Sequence, residues 1–101
     1  MRRAAKVDAN QPVIVAALRQ AGASVQSLAA IGAGCPDLLV GYAGRTALVE
    51  VKDGAKPPSD RKLTPDQKQW HQNWQGGTLA VVPDVEAALR VLALMKASNA
   101  V

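Results

Sequence analysis

Two runs of strand-forming residues, separated by only two residues, constrain the fold of this chain more than any other feature. The first run is Asp37–Tyr42, the second is Arg45–Lys52, and Ala43-Gly44 lies between them. Apolar runs joined by so short a loop are typical of an antiparallel β-hairpin. We therefore predict a hairpin over residues 37–52.

The register of this hairpin places two acidic side chains opposite each other. If Ala43 and Gly44 form the loop, the numbers of paired residues add up to 87, so Asp37 pairs with Glu50. Paired residues have Cβ atoms about 4.5–5.5 Å apart and point to the same face of the sheet. Two carboxylates held that close repel each other unless a positive charge lies between them. The pair therefore predicts a site for a hard divalent cation, Mg²⁺ or Mn²⁺.

Strand alternation adds a lysine to the same site. Lys52 lies two residues after Glu50 and shares its face, whereas Val49 and Val51 point to the opposite layer. The cation would polarise a phosphate and lower the pKa of bound water. Lys52 would orient the attacking water or stabilise negative charge on phosphorus, and the Val51 carbonyl is a further candidate metal ligand.

A structural explanation of these residues stays open. A Glu-Val-Lys triplet is common on half-exposed strands, and Asp37 after a proline can simply begin a strand. An acid opposite an acid in otherwise apolar strands is uncommon, however, because like charges at paired positions destabilise a hairpin. The combination therefore favours the functional interpretation.

A first helix and a short strand are predicted before the hairpin. The apolar stripe of the helix consists of Ile14, Ala17, Leu18 and Ala21, spaced as on one helical face. Pro12 fits the first turn of this helix, and Gly22 ends it. Residues 23–29 are predicted to form a short strand, and residues 31–36, rich in glycine and proline, a turn.

A second helix, a strand and a third helix are predicted after the hairpin. Residues 53–63 should be a mobile loop, and Thr64-Pro65-Asp66-Gln67 has the pattern of a capping box that opens a helix reaching about residue 75. Thr78–Val82 is a continuous apolar run, as expected of a strand covered on both faces. Asp84 caps the last helix, and the apolar face of that helix consists of Val85, Ala88, Leu89 and Leu92. The predicted fold is α/β, with a mixed four-stranded sheet flanked by helices in the order αβββαβα.

Length and charge bound the kind of protein. The 101 residues suit a single domain, 1–101, with a loose basic arm at 1–7 and a frayed tail at 97–101. The formal charge is +4, and five of the twelve basic residues fall within residues 52–68, which favours a polyanion as partner, although a solvated loop has the same composition. One cysteine, no signal peptide pattern and no apolar run long enough for a membrane span predict a cytoplasmic protein without a membrane partner.

The sequence Pro36-Asp37 followed by Glu50-Val51-Lys52 resembles the motif of the PD-(D/E)XK nuclease superfamily. The chain is similar to its small phage and bacterial members, the VRR-NUC domains and the Holliday junction resolvases, over residues 8–92. The resemblance implies a restriction-endonuclease-like core, a bacterial or phage-infected cell as setting, and a metal bound by Asp37 and Glu50. It also implies that Lys52 is the catalytic lysine of a phosphodiester hydrolase, typically leaving a 5′-phosphate.

The resemblance implies two further site residues, each with a structural alternative. Many members carry an extra acid near the metal on the first helix, where Asp8 is the only acidic candidate and could equally be a helix N-cap. Many also place a glutamine on the helix after the motif, facing the site. Gln67 matches that position, but it also completes the predicted capping box.

Other residues are predicted to contact DNA or to pack. The candidate DNA contacts are Lys56, Arg61, Lys62, Lys68, Gly34 and His71. Gly34 would let a phosphate approach the backbone, although a plain turn explains it as well, and His71 could be a packing residue instead. Trp70 and Trp74 are interpreted as core residues, with base stacking as the alternative. Cys35 is interpreted as a small buried residue rather than a nucleophile.

These residues together predict a metal-dependent DNA endonuclease that prefers branched, nicked or otherwise structured substrates. No base-reading element is evident, so sequence specificity should be weak. A chain this short covers little DNA, which predicts a homodimer on a junction. The alternative is a non-catalytic module on the same fold that binds nucleic acid or a protein. Action on RNA or from a strand end also stays open.

Overall fold

The computed structural model of the chain describes residues 7–99, so most of the predicted basic arm and residues 100–101 of the tail lie outside it. In chain order its elements are α1 (Gln11–Gln20), β1 (Ser24–Ser27), β2 (Leu38–Tyr42), β3 (Arg45–Val51), a 3₁₀ turn (Pro58–Asp60), α2 (Pro65–Asn73), β4 (Thr78–Val82) and α3 (Val85–Asn99). The strands form one sheet in the order β1-β2-β3-β4, antiparallel except for the parallel pair β3–β4. The predicted α/β class, mixed four-stranded sheet and element order are confirmed.

The hairpin register is the predicted one. Tyr42 pairs with Arg45 and Leu38 with Val49, so the numbers of paired residues add up to 87. Ala43 and Gly44 both have positive φ, 53° and 73°, as the two central residues of a type I′ turn require. This turn fixes which residues of β2 and β3 share a face of the sheet.

Helices α1 and α3 pack on one face of the sheet, here called the inner face, and enclose the core. Its fully buried residues include Ile14 and Leu18 of α1 and Val49 and Val51 of β3. The two valines therefore point into the helical layer, as predicted. Pro12 lies in the first turn of α1, whereas Ala21 lies beyond the helix and is exposed.

The prediction that β4 is covered on both faces is wrong. β4 is an edge strand, and the side chain of Val81 is 46% exposed. An apolar run is compatible with burial, but within residues 7–99 no strand lies beyond β4 and Val81 stays exposed. Among the helices of residues 7–99, none is long and apolar enough to cross a membrane.

Helix α3 differs from its prediction in length and in its buried face. It continues through residue 99 instead of fraying after Lys96, and a hydrogen bond from Arg45 Nη2 to the Ser98 carbonyl (2.8 Å) ties its last turn to the hairpin. Leu89 is 39% exposed. The buried residues of α3 are Ala88, Val91, Leu92 and Met95.

Helix α2 lies on the opposite, outer face of the sheet and covers only one end of it. It contains no fully buried residue. Trp70 is half-buried and Trp74 is 40% exposed, so the assignment of Trp74 to the core is wrong. The two indole rings stack on each other with centroids 5.1 Å apart, which explains how they pack outside the core.

Candidate active site

Asp37 lies just before β2, where the hairpin ladder ends. Its side chain is buried, and Oδ2 accepts a hydrogen bond from the Val51 backbone N–H at 2.6 Å. The N–H and C=O groups of one strand residue point to the same side. The Val51 carbonyl therefore also faces the side of β3 on which Asp37 lies, as its predicted role as a metal ligand requires.

Glu50 is the most deeply buried charged side chain of the described residues, with 1% of its surface exposed. Its Oε2 accepts a hydrogen bond from Gln67 Nε2 at 3.2 Å, whereas Oε1 has no hydrogen-bond partner. Burial, then a hydrogen bond with Asp37 and the negative charge of Asp37, raise the pKa of Glu50 to about 9. The positive charge of Lys52 opposes this rise, and Asp8 adds to it. The effect of Asp37 on Glu50 shows that the two carboxyl groups are neighbours, as the register of β2 and β3 predicts.

Lys52 enters the same site from the end of β3. Its Nζ donates a hydrogen bond to Gln67 Oε1 at 2.7 Å. Its backbone is held on two sides, by the Val82 carbonyl (3.0 Å) and by Asn10 Nδ2, which donates to the Lys52 carbonyl (3.2 Å). The lysine therefore extends from a fixed backbone position, and Asn10 of the α1 N-terminus supports it.

Gln67 forms the predicted capping box and also faces the candidate site, while its part in catalysis stays a prediction. Thr64 Oγ1 accepts from the Gln67 N–H (3.2 Å) and Gln67 Oε1 accepts from the Thr64 N–H (2.9 Å), which completes the capping box. The same side chain contacts Lys52 through Oε1 and Glu50 through Nε2. The cap at the start of α2 therefore fixes the orientation of a side chain that links the acid to the lysine.

A cavity of about 520 Å³ connects these residues. Its polar lining residues are Asp8, Cys35, Asp37, Glu50, Lys52, Lys56, Thr64, Asp66 and Gln67. Cys35 is half-buried and lines this cavity, so its interpretation as a simple buried residue is incomplete. Burial, then the charges of Glu50 and Asp37, raise the pKa of its thiol.

Asp8 lies at the cavity but does not cap the helix. The N-cap of α1 is Asn10, while the Asp8 carboxylate lies 3.7 Å from Lys56 Nζ. The N-cap alternative for Asp8 is therefore wrong. Its role as a metal ligand stays a prediction.

Gly34 has a structural role that the sequence did not reveal. Its φ is +84°, and a Cβ at this position would overlap the backbone of Asp66 at the start of α2. The plain-turn alternative is therefore also incomplete, because the glycine lets α2 approach the 31–36 turn. Gly34 lines the cavity as well, so phosphate contact stays a prediction.

The other predicted DNA contacts are spread around the site. Lys56 lines the cavity, whereas Lys62 and Lys68 are exposed and do not line it. Arg61 lines a second cavity of about 370 Å³ beside Pro83. His71 is largely buried, and its Nε2 lies 3.6 Å from Glu50 Oε1. The sequence did not predict this contact, although the spacing of four residues from Gln67 places His71 on the same helical face.

The donor set fits a hard cation. Glu50 Oε1 is buried without a partner, and the carboxylate of Asp37 lies beside it. Within residues 7–99, no three His, Cys, Asp or Glu side chains are arranged to hold a metal by themselves. Carboxylate and carbonyl oxygens are the kind of ligand that Mg²⁺ takes, and Mg²⁺ usually keeps several waters and binds through one or two carboxylates.

Comparisons of the chain with protein-family models, with curated proteins and with solved structures give no match.

Proposed function

We propose that this chain is a metal-dependent nuclease that hydrolyses DNA phosphodiester bonds, as the PD-(D/E)XK motif implies, on a restriction-endonuclease-like core. The observation that carries the proposal is the convergence of two buried carboxylates, Asp37 and Glu50, with the Lys52 amine at one end of the sheet. Two carboxylates at one buried position repel each other, so each disfavours the charged form of the other. A structural ion pair with Lys52 would need only one of them. A cation site explains the pair.

Each residue has a distinct part in the proposed hydrolysis. Asp37, Glu50 and the Val51 carbonyl would hold Mg²⁺ or Mn²⁺, which supplies Lewis-acid polarisation of the phosphate and acidifies water. Lys52 stabilises the negative charge that develops on the phosphoryl oxygens. Gln67 fixes Lys52 Nζ through the 2.7 Å hydrogen bond and so orients the amine toward the cavity.

The charge distribution supports nucleic acid as the substrate. The formal charge is +4, the exposed Lys56 lines the cavity, and Lys62 and Lys68 are exposed in the same 52–68 region. Cations around an acidic centre bind the phosphates that flank the cleaved bond. The described residues include no element that suits base reading, so we expect selection by DNA structure rather than sequence.

Cleavage assays with matched variants test the proposal. Single-stranded, duplex, flap and four-way DNA are incubated with Mg²⁺ or Mn²⁺ and with EDTA. Lys52→Met and Asp37→Asn should reduce cleavage at least about 100-fold, the typical effect of removing a group that stabilises transition-state charge. The surface variants Lys96→Met and Asp60→Asn make the same chemical changes at exposed positions and should cleave like the wild type.

Equal cleavage by all five proteins would refute the assignment of the site. Cleavage in EDTA would refute the metal requirement. Binding of DNA without cleavage of any substrate would favour the alternative, a non-catalytic binding module on the same fold.

A homodimer is part of the proposal for junction substrates. The free edge of β4 supports self-association, because residues 78–82 contain no charge or proline and Val81 is exposed. Sedimentation that shows a monomer both alone and on four-way DNA would refute the dimer and leave the nuclease assignment intact.

A further inference from the structure

One face of α2 contacts both carboxylate oxygens of Glu50. Gln67 and His71 lie four residues apart, so their side chains project from the same side of the helix. Gln67 Nε2 donates to Glu50 Oε2 at 3.2 Å, and His71 Nε2 lies 3.6 Å from Glu50 Oε1. The helix therefore approaches the carboxylate with one nitrogen for each oxygen.

The second contact joins two buried atoms that otherwise have no partner. Neither Glu50 Oε1 nor His71 Nε2 makes a hydrogen bond, and both are inaccessible to water. A buried carboxylate oxygen without a donor is costly, and the cost is greatest when the carboxylate is ionised. Glu50 must be ionised to bind a cation.

His71 does not line the cavity, although Glu50 and Gln67 do. It therefore contacts Glu50 outside the lining of this cavity. This placement suits a residue that supports a ligand, and not one that binds the metal or the DNA itself.

We propose, on the basis of the nuclease function proposed above, that His71 is a positioning residue that donates Nε2–H to Oε1 of ionised Glu50 and fixes its rotamer for metal binding. The two atoms lie 3.6 Å apart, so the hydrogen bond requires them to approach each other by about 0.7 Å.

Mn²⁺ binding, measured by electron paramagnetic resonance of the free ion, tests this role apart from cleavage. His71→Leu removes the donor at similar volume and should weaken Mn²⁺ binding about 10- to 100-fold, the usual effect of losing a group that supports a metal ligand. His71→Gln keeps a donor N–H and should recover most of the affinity. Gln72→Leu, at the next and exposed position of α2, is the matched control and should bind like the wild type.

Three results would overturn the inference. Equal Mn²⁺ affinity of wild type and His71→Leu would show that the contact does not position Glu50. In that case, loss of cleavage in Lys52→Met would still support the nuclease assignment. A visible Co²⁺ spectrum that changes equally in His71→Leu and His71→Gln would show direct ligation instead of support. No Mn²⁺ binding by the wild type would refute the metal-dependent function together with the inference. Circular dichroism of each variant verifies that α2 is folded.

Discussion

Glu50 should make the metal-free protein less stable as the pH rises. Its pKa is raised from 4.5 to about 9, because the side chain is buried and because the negative charge of Asp37 disfavours a second negative charge on Glu50. In the unfolded chain the carboxyl ionises near its ordinary value. Between these two pH values the folded protein therefore binds one more proton than the unfolded chain. The contribution of Glu50 to the free energy of unfolding is fully present below about pH 4.5 and is lost as the pH rises toward about 9.

The expected slope is at most about 1.4 kcal/mol per pH unit. His71 has a lowered pKa, so its contribution to stability has the opposite sign and is lost as the pH falls below its ordinary value. Cys35 has a raised pKa and begins to contribute only near pH 9. Between about pH 7 and about pH 8.5 Glu50 therefore dominates, and the free energy of unfolding should fall by about 2 kcal/mol. This is a large part of a typical domain stability of about 5–15 kcal/mol.

Urea unfolding in EDTA, followed by circular dichroism at several pH values, measures this slope. Glu50→Gln keeps the side-chain volume but cannot ionise, so its stability should be nearly independent of pH in this window. Glu86→Gln is the matched control on the surface of α3, where the side chain is 82% exposed, and it should keep the wild-type slope. Parallel slopes for wild type and Glu50→Gln would refute the assignment of the raised pKa to Glu50. Added Mg²⁺ or Mn²⁺ should reduce the slope of the wild type and of Glu86→Gln, and should leave Glu50→Gln unchanged.

Three further outcomes follow from the geometry. Gly34→Ala should lower the free energy of unfolding by about 2–4 kcal/mol. The positive φ at this position costs an alanine about 1–2 kcal/mol, and the added Cβ overlaps the start of α2. Gly41→Ala is the control and should be nearly neutral in the same urea titration, because Gly41 has an ordinary strand conformation with space for a Cβ. Thr64→Ala should cost about 1 kcal/mol by removing the α2 cap, whereas Thr64→Ser should restore it; equal thermal midpoints would contradict the cap. Asp37→Asn removes the charge that opposes ionisation of Glu50 and so lowers the folded-state pKa of Glu50, which means that the decline of stability with pH should end at a lower pH and be smaller in total; an unchanged pH profile would contradict the coupling.

The geometry of the hairpin site could be predicted because it depends on local rules. A two-residue loop fixes the register, and a strand has a side-chain period of two, so the pairing of Asp37 with Glu50 and the face of Lys52 follow from counting. The capping box at Thr64 and Gln67 is local in the same sense. A register error of one residue would have placed every one of these side chains on the wrong face.

The features that could not be predicted depend on contacts between distant parts of the chain. The exposure of Val81 follows from the order of strands in the sheet, which an apolar run does not encode. The last turn of α3 is held by Arg45, 53 positions away from Ser98. The contact of His71 with Glu50 depends on how closely α2 approaches the sheet, and Gly34 permits the start of α2 to lie against the 31–36 turn.

The lack of any fully buried residue in α2 has a consequence for how the protein responds to heat. Elements with little buried apolar surface open at a lower free energy than the core, in a local transition that leaves the rest of the fold intact. Opening of α2 would withdraw Gln67 and His71 from Glu50 in one event, while Asp37 stays bonded to Val51 in the hairpin. Hydrogen exchange should therefore detect α2 amides exchanging well before those of β2 and β3. The proposed nuclease activity should therefore be lost reversibly at temperatures where the sheet is still folded, and added Mg²⁺ or Mn²⁺ should delay that loss if Glu50 binds the ion.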